Sequence, residues 1–300
     1  MALCYLAYNL DMIFFQILIN GLIAGAIYAL VASGFSLIYS TNKFVHFAHG
    51  GVIAVSAYIM YWFSVELKFN IWLAILLTIV FGIILGYLLN KLVYVPLRRR
   101  KASNAVLLVS SLALLVMLEA FMLLIFGAGV KTIDLNLSAV LNLAGISITL
   151  SQIIIIVFSL VLFVLLFLFT KKTKLGKSMR AVEDNKDLAE ILGIAASKVY
   201  SWTFVLGSAI AGMAAVLIAQ EQNIEPSMGT SLIIKGFTAS VIGGIGSLPG
   251  AILGAFILGL AENFGIWYLP SGYKDAIAFI ILFIFLIFMP QGLLGKKKRL

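Results

Sequence analysis

Charge is scarce in this sequence: 21 Lys and Arg and 12 Asp and Glu make up 11% of 300 residues, where a soluble domain carries roughly 25%. With 63% apolar residues and a mean hydropathy of +1.13, the chain cannot build the polar shell that a globular enzyme needs. Cysteine is almost absent. Cys4 stands alone, which excludes an internal disulfide and a cysteine metal cluster. Alternation of apolar and polar residues is missing as well. Uninterrupted runs such as 153–169 argue against a membrane β-barrel, whose strands alternate over about ten residues. The first apolar stretch has neither a preceding basic residue nor a small-residue cleavage site, so it reads as a retained span rather than a removable signal peptide.

What remains is an all-α integral membrane protein, a single transmembrane domain over 1–300. At about 20 residues per span, helices are predicted at 13–38, 45–63, 71–89, 105–126, 150–169 and 199–219. A glycine-interrupted segment at 232–262 and a last helix at 276–289 follow. This makes a polytopic bundle of about eight to nine spans. Of the 21 Lys and Arg, 17 fall in alternate loops: Lys43, the group from Lys91 to Lys101, the loop from Lys171 to Lys198, and the tail Lys296 to Arg299. Only Lys68, Lys131, Lys235 and Lys274 lie elsewhere. The positive-inside rule therefore predicts the N-terminus outside and the C-terminus inside the cytoplasm.

That topology requires the segment 232–262 to enter and return as a broken or re-entrant pair of pieces of about 15 residues, each reaching about 22 Å against a core of roughly 30 Å. Gly243, Gly244, Gly246, Pro249 and Gly250 sit at the break. Non-helical backbone at membrane depth belongs where it is packed in protein or lines a wet path. Two readings follow: the glycines line a translocation path, or they only let helices pack closely.

Conventional catalytic constellations are missing. Gly176-Lys177-Ser178 has Lys171 where a phosphate loop needs its first glycine, so the chain is not expected to bind ATP, and no cofactor or nucleic-acid partner is indicated. His46 and His49 are three residues apart beside Gly50 and Gly51. They read as a metal pair, as packing groups, or as the lining of a polar path. Glu119 lies mid-span and reads either as a proton-coupling carboxylate or as an interhelical contact with Ser110 or Ser111. Lys235 and Glu262 read as interfacial anchors. Within the loop 170–198, the stretch from Ser178 to Gly193 is predicted to form one short amphipathic helix with Val182, Leu188, Ala189, Ile191 and Leu192 on its apolar face. Glu183, Asp184, Asp187 and Glu190 oppose anionic lipid, which favours a groove of a cytoplasmic partner over the bilayer.

Five stretches, 21–30, 47–51, 180–193, 237–250 and 289–295, together resemble branched-chain amino acid ABC transporter permeases of the LivH type, over nearly the whole chain beyond Met12. The resemblance implies an importer in the cell inner membrane, with a second related permease, two cytoplasmic ATPase subunits and an extracytoplasmic binding protein that delivers leucine, isoleucine or valine. It also implies that Arg180, Glu183, Asp184, Leu188, Leu192 and Gly193 form the ATPase-coupling element. Phe47, His49, Gly50 and Gly51 are expected to share the path with the glycine segment. Gly51 departs from the acidic residue expected there in many relatives, which counts against a substrate or proton role at that position. The start of the chain looks unlike the family's, with Met12 as an alternative initiator. Related permeases serving urea or amides, and an ion-coupled secondary transporter resting on Glu119, are the competing readings.

Overall fold

The computed structural model describes residues 2–133, 140–143 and 146–295; Met1 and the basic tail Lys296 to Arg299 lie outside them. Twelve α-helices are described: α1 (Ala2–Asn42), α2 (Ala48–Tyr61, extended by a π-helical turn Trp62–Glu66), α3 (Ile71–Leu89), α4 (Val95–Arg99), α5 (Asn104–Phe126), α6 (Leu150–Lys172), α7 (Lys174–Asp184), α8 (Lys186–Ile191), α9 (Ala196–Glu221), α10 (Met228–Gly243), α11 (Leu248–Tyr268) and α12 (Lys274–Phe288). Eight helices are long and apolar enough to cross a membrane, and α10 is a shorter apolar one. Strands β1 (Val140–Leu143) and β2 (Ile146–Thr149) form an antiparallel pair.

Small residues decide which helices pack inside. Along α1, a Cβ on Gly21 would lie 2.9 Å from Leu260 Cδ2, and one on Gly25 2.9 Å from the Phe256 Cα of α11, so the two backbones run in close contact. Helices α1, α2, α9, α10 and α11 carry most of the fully buried side chains, whereas α3, α5, α6 and α12 turn large apolar groups such as Leu76, Leu124 and Phe283 outward. That outward face is the surface a bilayer solvates.

The basic loops gather at one end of the bundle. Arg98 donates to the Asn42 side chain, Arg99 and Lys198 line one cleft, and Lys43, Lys171 and Arg180 line another with Leu294. At the opposite end, Gln16 exchanges hydrogen bonds with the Ser147 backbone, Gln152 donates to Glu221, and the Lys131 backbone pairs with Ile224.

Three expectations change in the structure. The interrupted segment runs from Met228 to Tyr268 rather than 232–262. Its halves are unequal: α10 has 16 residues and α11 has 21, so α11 reaches about 32 Å and is long enough to span, while α10 at about 24 Å is not. The asymmetry arises because Leu248 and Pro249 start α11 immediately after the turn, with Ser247 capping Gly250 N–H. Second, the loop helix is two helices. Asn185 leaves the helical region and its side chain accepts from Leu188 N–H at 3.0 Å, ending α7 and starting α8. Third, α2 begins at Ala48 rather than 45, and the backbone groups freed by that break are met from α5: Ser111 Oγ accepts from Phe47 N–H at 3.2 Å and donates to Val45 C=O at 3.1 Å.

Candidate translocation site

Two half-helix starts meet inside the bundle. Gly50, in the first turn of α2, and Gly229, in the first turn of α10, touch backbone to backbone; a Cβ on Gly229 would lie 2.7 Å from the Gly50 carbonyl oxygen. Next to them, Gly51 faces α5, where a Cβ would lie 2.9 Å from Leu118 Cδ1. A side chain at this position would have to displace the end of Leu118. The next residue of α5, Glu119, accepts from Thr230 N–H at 3.2 Å and from the Thr230 hydroxyl. Its partner is therefore not Ser110, which donates to Val106 C=O, nor Ser111, which holds the start of α2. Because α10 has no side-chain cap of its own, the Glu119 carboxylate shares the Thr230 N–H with Ser227 C=O, which accepts it at 3.1 Å, and complements the positive end of the helix.

His49 is fully buried. It packs on Gly34 of α1, where a Cβ would lie 2.6 Å from its Nε2. His46 precedes α2, and its Nδ1 and the Tyr94 hydroxyl hydrogen-bond at 2.9 Å. The two imidazole rings are 6.3 Å apart, and among the described residues no group of three or more His, Cys, Asp or Glu is placed to hold a metal. Both rings are buried between the helices, with the Arg98 guanidinium 4.6 Å from the Tyr200 ring.

The interrupted turn lies at the basic end. Gly243 and Gly250 pack backbone to backbone, and residues 292–295 close over them: Leu293 N–H donates to Ile242 C=O at 2.9 Å and Leu294 N–H to Gly243 C=O at 2.8 Å. Gly244 (φ +109°) and Gly246 (φ +89°) hold conformations that L side chains rarely adopt. Here the two readings of the glycines divide by residue. Gly243, Gly244 and Gly250 are crowded by backbone, whereas Gly246 has neighbours no closer than 3.6 Å and lines a cleft of about 730 Å³ with Pro249.

That cleft brings the interrupted turn and the loop helix together. Its walls are Ser36, Ser40 and Lys43 from the end of α1, Gly246 to Pro249 from the turn, and Arg180 and Glu183 from α7. Asp184 is not among the lining residues, and Leu188, Leu192 and Gly193 lie beyond the cleft. Phe47, His49, Gly50 and Gly51 are deeper in the bundle. On α7 and α8 the expected apolar face splits: Val182 and Ala189 are buried, together with Met179, while Leu188, Ile191 and Leu192 point outward, Ile191 at 81% exposure.

Sequence reasoning missed a third cluster. Lys235 and Glu262 are not interfacial anchors. Glu262 is fully buried, its Oε2 lies 3.3 Å from Lys235 Nζ, and it accepts from the Tyr28 hydroxyl at 2.6 Å. Lys235 also reaches Asp275 at 3.1 Å. A cavity of about 280 Å³ opens beside Lys235 and Tyr28 at the end away from the basic loops. The available signal was one lysine and one glutamate in otherwise apolar helices, since such charges are stable only when paired.

A bundle of membrane-length helices, with two glycine-bounded half-helix starts in its interior and a cleft joining a helix break to a loop helix, defines a polytopic membrane transport protein. The family model described as branched-chain amino acid transport system / permease component matches residues 17–286, and the chain belongs to that family. It is 34% identical to the high-affinity branched-chain amino acid transport system permease protein BraD of Pseudomonas aeruginosa, covering 95% of this chain and 97% of the relative. It is 31% identical to LivH of Escherichia coli K12 over 95% of this chain and 96% of that one. A probable branched-chain amino acid permease of Methanocaldococcus jannaschii is 30% identical over 95% of each.

Proposed function

We propose that this chain is the translocating subunit of an ABC importer for branched-chain amino acids in the cell inner membrane, with its N-terminus outside. It works beside a second permease and two cytoplasmic ATPase subunits, and an extracytoplasmic binding protein delivers the substrate. What carries the substrate class is the near full-length match to permeases of that system. What supports the coupling is the shared cleft.

The mechanical argument starts at α8, where Leu188, Ile191 and Leu192 expose an apolar tip beside Asp187 and Glu190. Seated in a groove of an ATPase, this tip moves when the ATPases close on ATP. Helix α7 passes the displacement to the cleft through Arg180 and Glu183, which face the 246–249 turn and the end of α1. The turn joins α10 to α11, so its movement changes how α10 meets α2 at Gly50 and Gly229. Opening and closing there alternates access between the two sides. An apolar amino acid still carries an ammonium and a carboxylate, and half-helix ends inside the bundle offset their desolvation. The path is lined by Phe47, His49, Gly50 and Gly51 within the bundle and by Gly246 and Pro249 at the cytoplasmic mouth, with Gly243, Gly244 and Gly250 holding the turn.

Proteoliposomes containing the assembled complex, with binding protein outside and ATP inside, test this directly. Labelled leucine should accumulate only when all components and ATP are present. Accumulation driven by a proton or sodium gradient without the ATPases would replace the proposal with ion-coupled transport, and transport of urea in preference to leucine would replace its substrate.

A further inference from the structure

A second cleft at the basic end takes no part in the proposed coupling. It has a volume of about 460 Å³ and lies between α3–α4 and the start of α9, lined by Arg99, Lys198, Ser197, Tyr87, Trp202 and Val205 among others. We propose that it binds the headgroup of an anionic phospholipid.

Three independent features point to a phosphate. Neither Arg99 nor Lys198 has an ion-pair partner among the described residues, and Lys91, which does not itself line the cleft, stands 5.7 Å from the ring centre of Tyr87, which does. The start of α9 opens onto the same cleft without a side-chain cap, because its N-cap residue is Ala195. Over 26 residues, this helix presents a sustained positive end and orphan N–H groups to the cleft, with the Ser197 hydroxyl beside them. All these groups attract one oxyanion, and no acidic residue is among those that line the cleft.

Two further features distinguish a lipid from a soluble anion or an acidic protein. Trp202, at 52% exposure, and Tyr87, at 40%, are the amphipathic rings that sit at headgroup level in membrane proteins. Directly beyond them the face of α3 is exposed and apolar, through Leu88, Ile84 and Val80, a surface along which acyl chains can lie. Charge at one level and apolar surface below it match a phospholipid, whose phosphate and chains are joined in that order.

The test uses the full chain purified in neutral detergent and stripped of lipid, with thermal unfolding and native mass spectrometry as readouts. Phosphatidylglycerol should raise Tm and give a 1:1 adduct, and phosphatidylcholine should do neither. Arg99→Gln with Lys198→Gln should weaken half-saturation by phosphatidylglycerol roughly thirtyfold, at about a kilocalorie per mole for each basic residue. Arg99→Lys with Lys198→Arg should restore it. The double change Arg100→Gln with Lys101→Gln, at the same end but outside the cleft, should leave binding intact. Equal effects of the two lipids, equal loss in the two Gln pairs, or the same Tm rise with glycerol 3-phosphate would each overturn the lipid site. So would a concentration-dependent dimer that excludes the adduct, since a second permease would then be the occupant.

Discussion

Lys235 on α10 and Glu262 on α11 form an ion pair of 3.3 Å in which the carboxylate is fully buried, and the Tyr28 hydroxyl of α1 closes the group by donating to the same oxygen at 2.6 Å. Three helices are therefore tied at a single atom, Glu262 Oε2. The pair sits beside the small-residue seam of α1 and α11, so it fixes the register at which the two halves of the interrupted segment meet.

Replacing Lys235 leaves Glu262 buried without its counter-charge, whereas replacing Glu262 leaves Lys235 with Asp275 at 3.1 Å. Lys235→Met should destabilise the permease by about 3–5 kcal/mol, and Glu262→Met by less. The double variant, which buries no lone charge, should recover most of the loss. Thermal unfolding in detergent measures all three. Two single variants that simply add in the double would show that the residues act separately.

The α8 tip yields a prediction about assembly. Leu188→Asp or Ile191→Asp changes an exposed side chain outside the spans, so the permease should insert and fold at normal yield. Each should reduce co-purification of the ATPase and lower uptake in proportion. Gly193, at φ +84° with open space around its Cβ position, should tolerate Asn better than Val, since Asn reaches the left-handed region more readily. Normal ATPase recovery with Leu188→Asp would remove α8 from the interface.

The spans were legible because apolar length is a property of each segment alone: the runs at 71–89, 105–126 and 150–169 became α3, α5 and the body of α6. The break after Gly243 was legible for the same reason, since glycine and proline act locally. What stayed hidden depends on partners remote in sequence. Glu119 meets Thr230 and Lys235 meets Glu262 only after the helices pack. The function of Ser111 likewise appears only once α2 is seen to start at Ala48. The division of α7 from α8 was within reach: Asn185 followed by Lys186, Asp187 and Leu188 is a cap and first turn, but the charges on both sides read as one solvated face.

Glu119 separates coupling from capping. As a cap of α10 it needs an acceptor oxygen, which Gln also provides, so Glu119→Gln should keep uptake within about twofold and cost less than the roughly 1 kcal/mol expected of Glu119→Ala. A proton-coupling carboxylate behaves differently, since Gln cannot release a proton. Abolished uptake in an otherwise stable Glu119→Gln complex would favour the ion-coupled mechanism.

Orientation is testable on described residues. In a Cys4→Ser background, a cysteine at Gly272, between α11 and α12 and with open space around it, should react with a membrane-impermeant thiol reagent in intact cells whose outer barrier is permeabilised. One at Ser178 on α7 should react only after lysis. The reverse pattern would invert the proposed topology and place α8 out of reach of any cytoplasmic ATPase.

The last prediction concerns two glycines of the same turn that are held for different reasons. Gly243→Ala places a Cβ against the Gly250 backbone, which cannot yield without separating α10 from α11, so assembled complex should fall along with transport. Gly246 has space, but its φ of +89° costs a residue such as Leu roughly 1–2 kcal/mol, and the side chain would project into the cleft shared with Arg180 and Glu183. Gly246→Leu should therefore assemble at slightly reduced yield and lose most of its uptake per complex. Gly246→Asn separates strain from blockage: Asn enters left-handed backbone more readily than Leu and is smaller, so its uptake per complex should lie between Leu and wild type. Labelled leucine uptake normalised to purified complex gives the comparison. If Gly246→Leu and Gly243→Ala lose complex to the same extent and retain normal uptake per complex, the turn is a packing device at both positions and the path runs elsewhere.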